Sequence, residues 1–192
     1  MTTDCGPILL TLARNTIAQV LGEPTHASAE PSWLDEPGAA FVTLTQHGAL
    51  RGCVGSIEAV RALRADVSAN AYAAAFRDTR FAPLTAREYL YTDIELSLLS
   101  SLEAIEFAGE QQAFDELRPR VDGVVFEYGT RRATFLPQVW EQLPEPRQFL
   151  AHLKQKAGLP AGFWDDEIKL WRYTVTKWRE QDYAAAAARN SA

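Results

Sequence analysis

Two strand-like runs joined by a very short turn constrain the fold more than any other feature of this chain. Residues 39–45 and 49–57 are rich in apolar and β-branched side chains. The connection Gln46-His47-Gly48 contains a glycine, which adopts a positive φ without a steric penalty. The sequence therefore predicts a β-hairpin, and with it antiparallel pairing in this part of the chain.

Helix-like and strand-like runs alternate along the rest of the sequence. Their mixture predicts an α/β class, with α+β also open, in which mixed sheets carry flanking helices. No repeat and no linker divides the runs, so residues 1–192 are predicted to form one domain with a tail at 181–192. The predicted helices cover 7–21, 60–76, 109–117 and 148–157, and the capping-box spacing of Thr85 and Glu88 predicts a further short helix at that point. The predicted strands cover 39–45, 49–57, 91–99, 123–128, 131–136 and 168–178.

Composition excludes several classes of protein. The chain of 192 residues has a formal net charge of −6, which argues against nucleic-acid and anionic-membrane partners. Two cysteines, Cys5 and Cys53, are too few for a disulfide scaffold, so a reducing cytoplasm is expected. The three histidines lack metal-ligand spacing and no glycine-rich phosphate loop is present, so neither a metal nor a cofactor is predicted.

The segment Leu50–Gly55 carries the most specific chemistry. Strand alternation predicts that Arg51, Cys53 and Gly55 share one face, where the guanidinium would favour a thiolate and the glycine would leave space for a ligand. The alternative is a buried packing cysteine, with Gly52 and Gly55 permitting a bulge or a close backbone approach. Both interpretations stay open at this point.

A second candidate is an arginine-rich segment. Between Arg51 and Arg87 there are six arginines and no lysine against three acidic residues. Within it, Arg77, Asp78 and Arg80 lie in a predicted loop that spans Arg77–Leu84, and arginine suits bidentate recognition of carboxylate or phosphate. The alternative is an aspartate–arginine pair that only fixes the loop.

Two further residues are candidates for handling protons. Glu95 lies on the polar side of the predicted strand 91–99 and would act as a base if that side lines a cleft. His152 lies on the predicted helix 148–157, off its apolar stripe, and is a candidate base for Cys53 if the fold brings them together.

The motif Leu-Arg-Gly-Cys-Val-Gly at residues 50–55 resembles the six-residue signature of the AMMECR domain family, whose microbial members are called AmmeMemoRadiSam system protein A. Val54 replaces the usual isoleucine, and Ser101 a frequent proline. The resemblance covers about residues 8–180. The further matching segments are Ala73–Leu84, Asp93–Ser100, Ala133–Trp140, Phe149–Lys154 and Lys156–Leu159.

The resemblance implies a fold of two unequal lobes with the signature near the groove between them. It also implies a cytosolic protein associated with a Memo-type protein and a radical-SAM enzyme. It supplies no reaction, because the family's biochemical activity is not established.

Three functions follow from these residues. In the first, Cys53 is a nucleophile or covalent carrier, Arg51 and Arg80 hold a small anionic ligand, and Glu95 or His152 moves protons. In the second, the ligand-binding set (Arg51, Gly52, Gly55, Arg77, Asp78 and Arg80) forms the groove of a non-catalytic adaptor or binding module. The third, nucleic-acid binding through Lys169, Arg172, Lys177 and Arg179, conflicts with the net charge.

Overall fold

The chain is described by a computed structural model, which covers residues 4–183. Within that range, residues 4–99 and 176–183 form a first compact unit, and Ser100–Val175 form a second. The units are unequal in length and each has its own sheet and its own hydrophobic core. The alanine-rich segment predicted as a tail extends beyond the described residues.

The first unit packs helices on one face of a four-stranded sheet with the order β2-β1-β3-β8. Leu9 and Ile17 of α1, Val67 of α2 and Leu96 of β3 are fully buried in this core. A 3-10 helix spans Ser32–Asp35. The elements are α1 (Gly6–Leu21), β1 (Ala40–Gln46), β2 (Ala49–Gly55), α2 (Leu63–Phe76), α3 (Ala86–Tyr89), β3 (Thr92–Leu99) and β8 (Val175–Arg179).

The second unit has a sheet of order β4-β7-β5-β6 with two helices. Its core includes the stacked rings of Trp140 and Phe149, whose centroids lie 3.7 Å apart. A 3-10 helix spans Pro137–Glu141. The elements are β4 (Glu103–Ile105), α4 (Glu110–Glu116), β5 (Gly123–Tyr128), β6 (Arg131–Phe135), α5 (Pro146–Lys156) and β7 (Lys169–Tyr173).

The predicted α/β class is confirmed, and both sheets are antiparallel rather than mixed in strand direction. The hairpin is confirmed as well: β1 and β2 are joined by His47 and Gly48, which both have positive φ (51° and 80°). The capping box of α3 is present, with Thr85 accepting from the Glu88 N–H and the Glu88 side chain accepting from the Thr85 N–H. That residues 1–192 form a single domain stays a prediction.

The late strand predicted at 168–178 is wrong as a single strand. The chain breaks at Thr174, whose N–H and carbonyl both bond to Ser100 at 2.9 Å. β7 therefore belongs to the second sheet and β8 to the first. Trp171 and Trp178 thus lie on strands of different sheets, and the short strand β4 was not predicted at all.

Within residues 4–183, no helix combines the length and the apolar character needed to cross a membrane.

Candidate functional site

A β-bulge at Arg51 sets the geometry of the candidate site. On β1, Leu44 pairs with Gly52 and the next residue, Thr45, pairs with Leu50, so Arg51 has no opposite residue. An extra residue breaks strand alternation, because the two residues of the bulge oppose one residue of the partner strand. The predicted shared face of Arg51 and Cys53 is therefore wrong.

Arg51 is buried among its own partners. Its Nε donates to Glu88 Oε1 at 3.1 Å, and its Nη2 donates to the Ala82 carbonyl oxygen at 2.8 Å. The remaining nitrogen, Nη1, is buried and has no acceptor among residues 4–183, and the guanidinium lies over the ring of Phe81. The Arg51 guanidinium also holds the pKa of the Glu88 carboxyl below its usual value. Arg51 thus ties β2 both to α3, through Glu88, and to the segment before it, through Ala82.

The Cys53 thiol lies on the opposite, polar face of the first sheet. Thr43 is the cross-strand neighbour of Cys53, and its hydroxyl donates to Sγ at 3.3 Å. Thr43 also pairs with Glu95 on β3, so a row of three side chains crosses neighbouring strands on this face. The sheet therefore brings Cys53 and Glu95 to the same face, with one threonine between them.

Asp78 and Arg80 hold the backbone of Cys53 on the outer edge of β2. The Asp78 carboxylate accepts the Cys53 N–H at 2.9 Å, and Arg80 Nη2 donates to the Cys53 carbonyl oxygen at 3.3 Å. The same carboxylate receives Nε and Nη2 of Arg80 at 2.9 and 2.6 Å. We name these three residues the Cys53 site.

The charges of the Cys53 site reinforce one another. The Arg80 guanidinium, together with the Cys53 N–H, holds the pKa of the Asp78 carboxyl well below its usual range. In turn Asp78, with a smaller Coulombic contribution from the Cys53 thiol, raises the pKa of Arg80. Arg80 is therefore the cation of the Cys53 site. Its side chain is 54% exposed, whereas that of Asp78 is 6% exposed.

Neither glycine of the motif leaves open space. A Cβ on Gly52 would lie 2.1 Å from the Ala74 carbonyl oxygen of α2, so this glycine permits the close approach of helix and sheet. A Cβ on Gly55 would lie 2.2 Å from the ring of Phe41, the cross-strand neighbour of Gly55. The expected space above Gly55 is filled by that ring, and the bulge and close packing expected as the alternative are both present.

Glu95 is held by two cations from β8. Arg179 Nε donates to Glu95 Oε2 at 2.6 Å, and Lys177 Nζ lies 3.7 Å from Oε1. The Glu95 carboxylate also raises the pKa of Arg179. Both carboxylate oxygens of Glu95 are thus engaged by cations of β8.

Two further predicted site residues, Arg77 and His152, contact partners of their own. Arg77 is exposed and places its guanidinium over the ring of Tyr72, 5.8 Å from the centroid. His152 belongs to α5 of the second unit, where its side chain is exposed and Nδ1 lies 2.9 Å from the Gln148 carbonyl oxygen. Its role as a base for Cys53 stays a prediction.

Three residues of this region were missed by sequence analysis: Thr43, Phe81 and Glu88. Phe81 packs beneath both arginines, with the guanidinium carbons of Arg51 and Arg80 at 5.7 and 5.5 Å from its centroid. Glu88 was predicted only as a helix cap. The spacing of Thr85 and Glu88 indicates capping from the sequence alone. The contact of Glu88 with Arg51 spans 37 positions of sequence, so no local pattern indicates it.

The fold and the Cys53 motif define a known class of protein. A family model described as AMMECR1 matches residues 10–178, so the chain belongs to the AMMECR1 family.

Within residues 4–183, no three histidine, cysteine, aspartate or glutamate side chains are grouped so that they could hold a metal ion.

Two relatives and one solved structure are similar to this chain over most of their own length. Protein MJ0810 of Methanocaldococcus jannaschii is 31% identical over 185 residues, covering 94% of this chain and 92% of the relative. A protein of Thermotoga maritima is 33% identical over 159 residues, covering 82% of this chain and 86% of its own length. The crystal structure of uncharacterized protein PH0010 from Pyrococcus horikoshii is similar with a TM-score of 0.76 at 30% identity, covering 91% of each chain.

Proposed function

We propose that this AMMECR1-family protein is a component of a small-molecule modification or metabolic pathway and that it holds a small anionic ligand at the Cys53 thiol. The observation that carries the proposal is Arg80, which is anchored to the Cys53 carbonyl oxygen while half of its side chain remains exposed. A fixed positive charge beside a partly exposed thiol attracts anions to that thiol.

Asp78 limits how the ligand can be held. Its carboxylate already takes Nε and Nη2 of Arg80, so the bidentate edge of the guanidinium is occupied. In the part of the chain that is described, Nη1 of Arg80 has no protein acceptor. This nitrogen is the one available to a carboxylate or phosphate oxygen, and a single-nitrogen contact implies modest affinity.

The contacts of Cys53 favour holding a ligand over catalysing its conversion. Within the described residues, the group that bonds to Sγ is the Thr43 hydroxyl, which is not a base at neutral pH. Catalysis with Glu95 or His152 as the base is the extension of this proposal, and a non-catalytic adaptor is its alternative. Cys53→Ser separates them: an adaptor keeps partner and ligand capture, whereas a thiol-dependent enzyme loses turnover.

The partners in this proposal come from the family resemblance. We infer that the protein acts in the cytoplasm with a Memo-type protein and a radical-SAM enzyme. Size-exclusion chromatography of the purified proteins, alone and mixed, tests this inference, and co-elution at micromolar concentration is expected. Separate elution of all three, with and without added phosphate or acetate, would contradict it.

Competing alkylation tests the charge at the Cys53 thiol. Iodoacetate carries a negative charge and iodoacetamide is neutral. Peptide mass spectrometry measures the extent of alkylation at Cys53, and Cys5 of the same chain is the internal control. The rate ratio of iodoacetate to iodoacetamide is expected to be about five-fold higher at Cys53, corresponding to about 1 kcal/mol of Coulomb energy in water.

Variants assign that ratio to Arg80. Arg80→Ala is expected to lower the ratio at Cys53 to that of Cys5. Asp78→Asn is expected to raise it, because the guanidinium loses the carboxylate that neutralises it. Arg87→Ala, which removes an exposed arginine of the same unit, serves as the matched control. Equal ratios at both cysteines in the unmodified protein would overturn the proposal.

A further inference from the structure

A cavity of about 530 Å³ opens on the first unit, and none of its lining residues belongs to the Cys53 site. This volume lies within the range of small-molecule pockets. One part of the wall is apolar and comes from Pro7 and Leu10 of α1 and from Leu90 after α3. The charged part comes from Arg14, Asp93 and Glu180.

Arg14 and Glu180 form an ion pair in the wall of this cavity. Arg14 donates from Nε and Nη2 to the two carboxylate oxygens of Glu180 and from Nη2 to the Thr92 carbonyl oxygen at 2.7 Å. Glu180 also accepts the Ile94 N–H at 2.9 Å. The charges of this pair cancel, so neither residue selects the charge of a ligand.

Asp93 differs from the other charged groups of the wall. Asp93 is partly exposed, and within residues 4–183 its carboxylate has no hydrogen bond and no ion pair. An unpaired carboxylate attracts a cation into the adjoining space by Coulomb interaction. Among the arginine and the two carboxylates of the wall, the charge left uncompensated is therefore negative, and His26 also lines the cavity.

We propose that this cavity binds a ligand that joins a positively charged amine to an apolar body. Asp93 is the counter-ion of the amine, and Leu10 and Leu90 contact the apolar body. The same chemistry is offered by a free alkylamine and by a lysine side chain of a partner protein. This site is independent of the function proposed for Cys53, because the two share no residue.

Isothermal titration of the full chain with three six-carbon probes tests the proposal. Hexylamine, hexan-1-ol and hexanoate have the same apolar body and differ in the charge of the end group. Hexylamine is expected to bind at least about ten-fold more tightly than hexan-1-ol, with hexanoate the weakest of the three. Equal affinity of the amine and the alcohol, or no saturable binding of hexylamine, would overturn the proposal.

Three variants place the amine at Asp93. Asp93→Asn is expected to weaken hexylamine about ten-fold and to leave hexan-1-ol unchanged, since only the amine needs the carboxylate. Leu90→Ser is expected to weaken both probes together and to preserve their ratio. Glu36→Gln removes an exposed carboxylate elsewhere in the same unit and is the matched control. An unchanged hexylamine affinity in Asp93→Asn contradicts the assignment.

A lysine-containing peptide distinguishes the two sources of the amine. Tighter binding of acetyl-Leu-Lys-Leu-amide than of hexylamine assigns the cavity to a protein partner, and the reverse order assigns it to a small amine. Alkylation of Cys53 in the presence of saturating hexylamine keeps the two sites apart, because its rate is expected to stay unchanged.

Discussion

The Asp78 carboxylate accepts the backbone N–H of Cys53 at 2.9 Å, so a side chain from the loop after α2 completes the hydrogen bonding of an edge strand. The same carboxylate holds Arg80 beside the thiol. Position and charge at Cys53 therefore depend on one residue. This dependence makes Asp78 the residue whose replacement is most informative.

The first prediction concerns the pH dependence of stability. Because the folded-state pKa of Asp78 is depressed by Arg80, its contribution to the free energy of unfolding is fully present above its unfolded pKa of about 3.9 and is lost as the pH falls below that value. Urea unfolding between pH 5 and pH 2.5 measures this loss. In Asp78→Asn the decline is expected to be smaller, and an unchanged decline would show that other carboxylates account for it.

The second prediction concerns the close approach of α2 to β2. Gly52→Ala is expected to lower the free energy of unfolding by about 1–3 kcal/mol, because the new methyl group meets the Ala74 carbonyl oxygen and the helix must shift. Gly162→Ala is the control, since a Cβ there meets no atom within 4 Å. Equal stability of the two variants in urea would contradict the packing role of Gly52.

The third prediction concerns the buried guanidinium of Arg51. Glu88→Gln leaves this charge without its carboxylate and is expected to cost about 1–3 kcal/mol. Thr85→Val removes only part of the helix cap and is expected to cost about 0.5–2 kcal/mol. Thermal unfolding ranks the two variants, and a larger loss in Thr85→Val would assign Glu88 to capping alone.

The fourth prediction concerns the second unit at alkaline pH. Burial raises the pKa of Tyr173 to about 12, and its hydroxyl donates to the Phe135 carbonyl oxygen at 3.2 Å. The stability that depends on the neutral hydroxyl is present below the ordinary tyrosine pKa of about 10 and is lost as the pH rises towards 12.

Tyr173→Phe removes this titrating group and is expected to show a smaller loss of stability between pH 9 and pH 11. Tyr91→Phe, at an exposed tyrosine of the first unit, is the control and is expected to behave as the unmodified protein. Chemical denaturation across that interval provides the measurement.

Local patterns predicted most of the elements, because helix spacing, strand alternation and the capping box are set by neighbouring residues. The division of 168–178 into β7 and β8 was not predictable in this way, since its alternation runs without interruption through Thr174. The break depends on pairing with Ser100, which is 74 positions away in sequence. Pairing between distant parts of the chain therefore divided a segment whose local alternation predicted one continuous strand.

The candidate site was predictable in composition but not in arrangement. The arginine-rich segment indicated Asp78 and Arg80, and alternation correctly placed Glu95 on the polar face of β3. Alternation failed at Arg51, because a bulge depends on cross-strand register and on how closely α2 approaches Gly52. The contact of Thr43 with Cys53 depends on the same register and has no signature in either strand alone.

The occupied edge of β2 also has a consequence for solubility. Unpaired N–H and carbonyl groups on an edge strand are a template on which strands of other molecules can add. At Cys53 both groups are already bonded, one to Asp78 and one to Arg80. Replacing either residue would leave an unpaired backbone group on this edge, so the two side chains that hold the backbone of Cys53 also protect the edge of β2 against pairing with strands of other molecules.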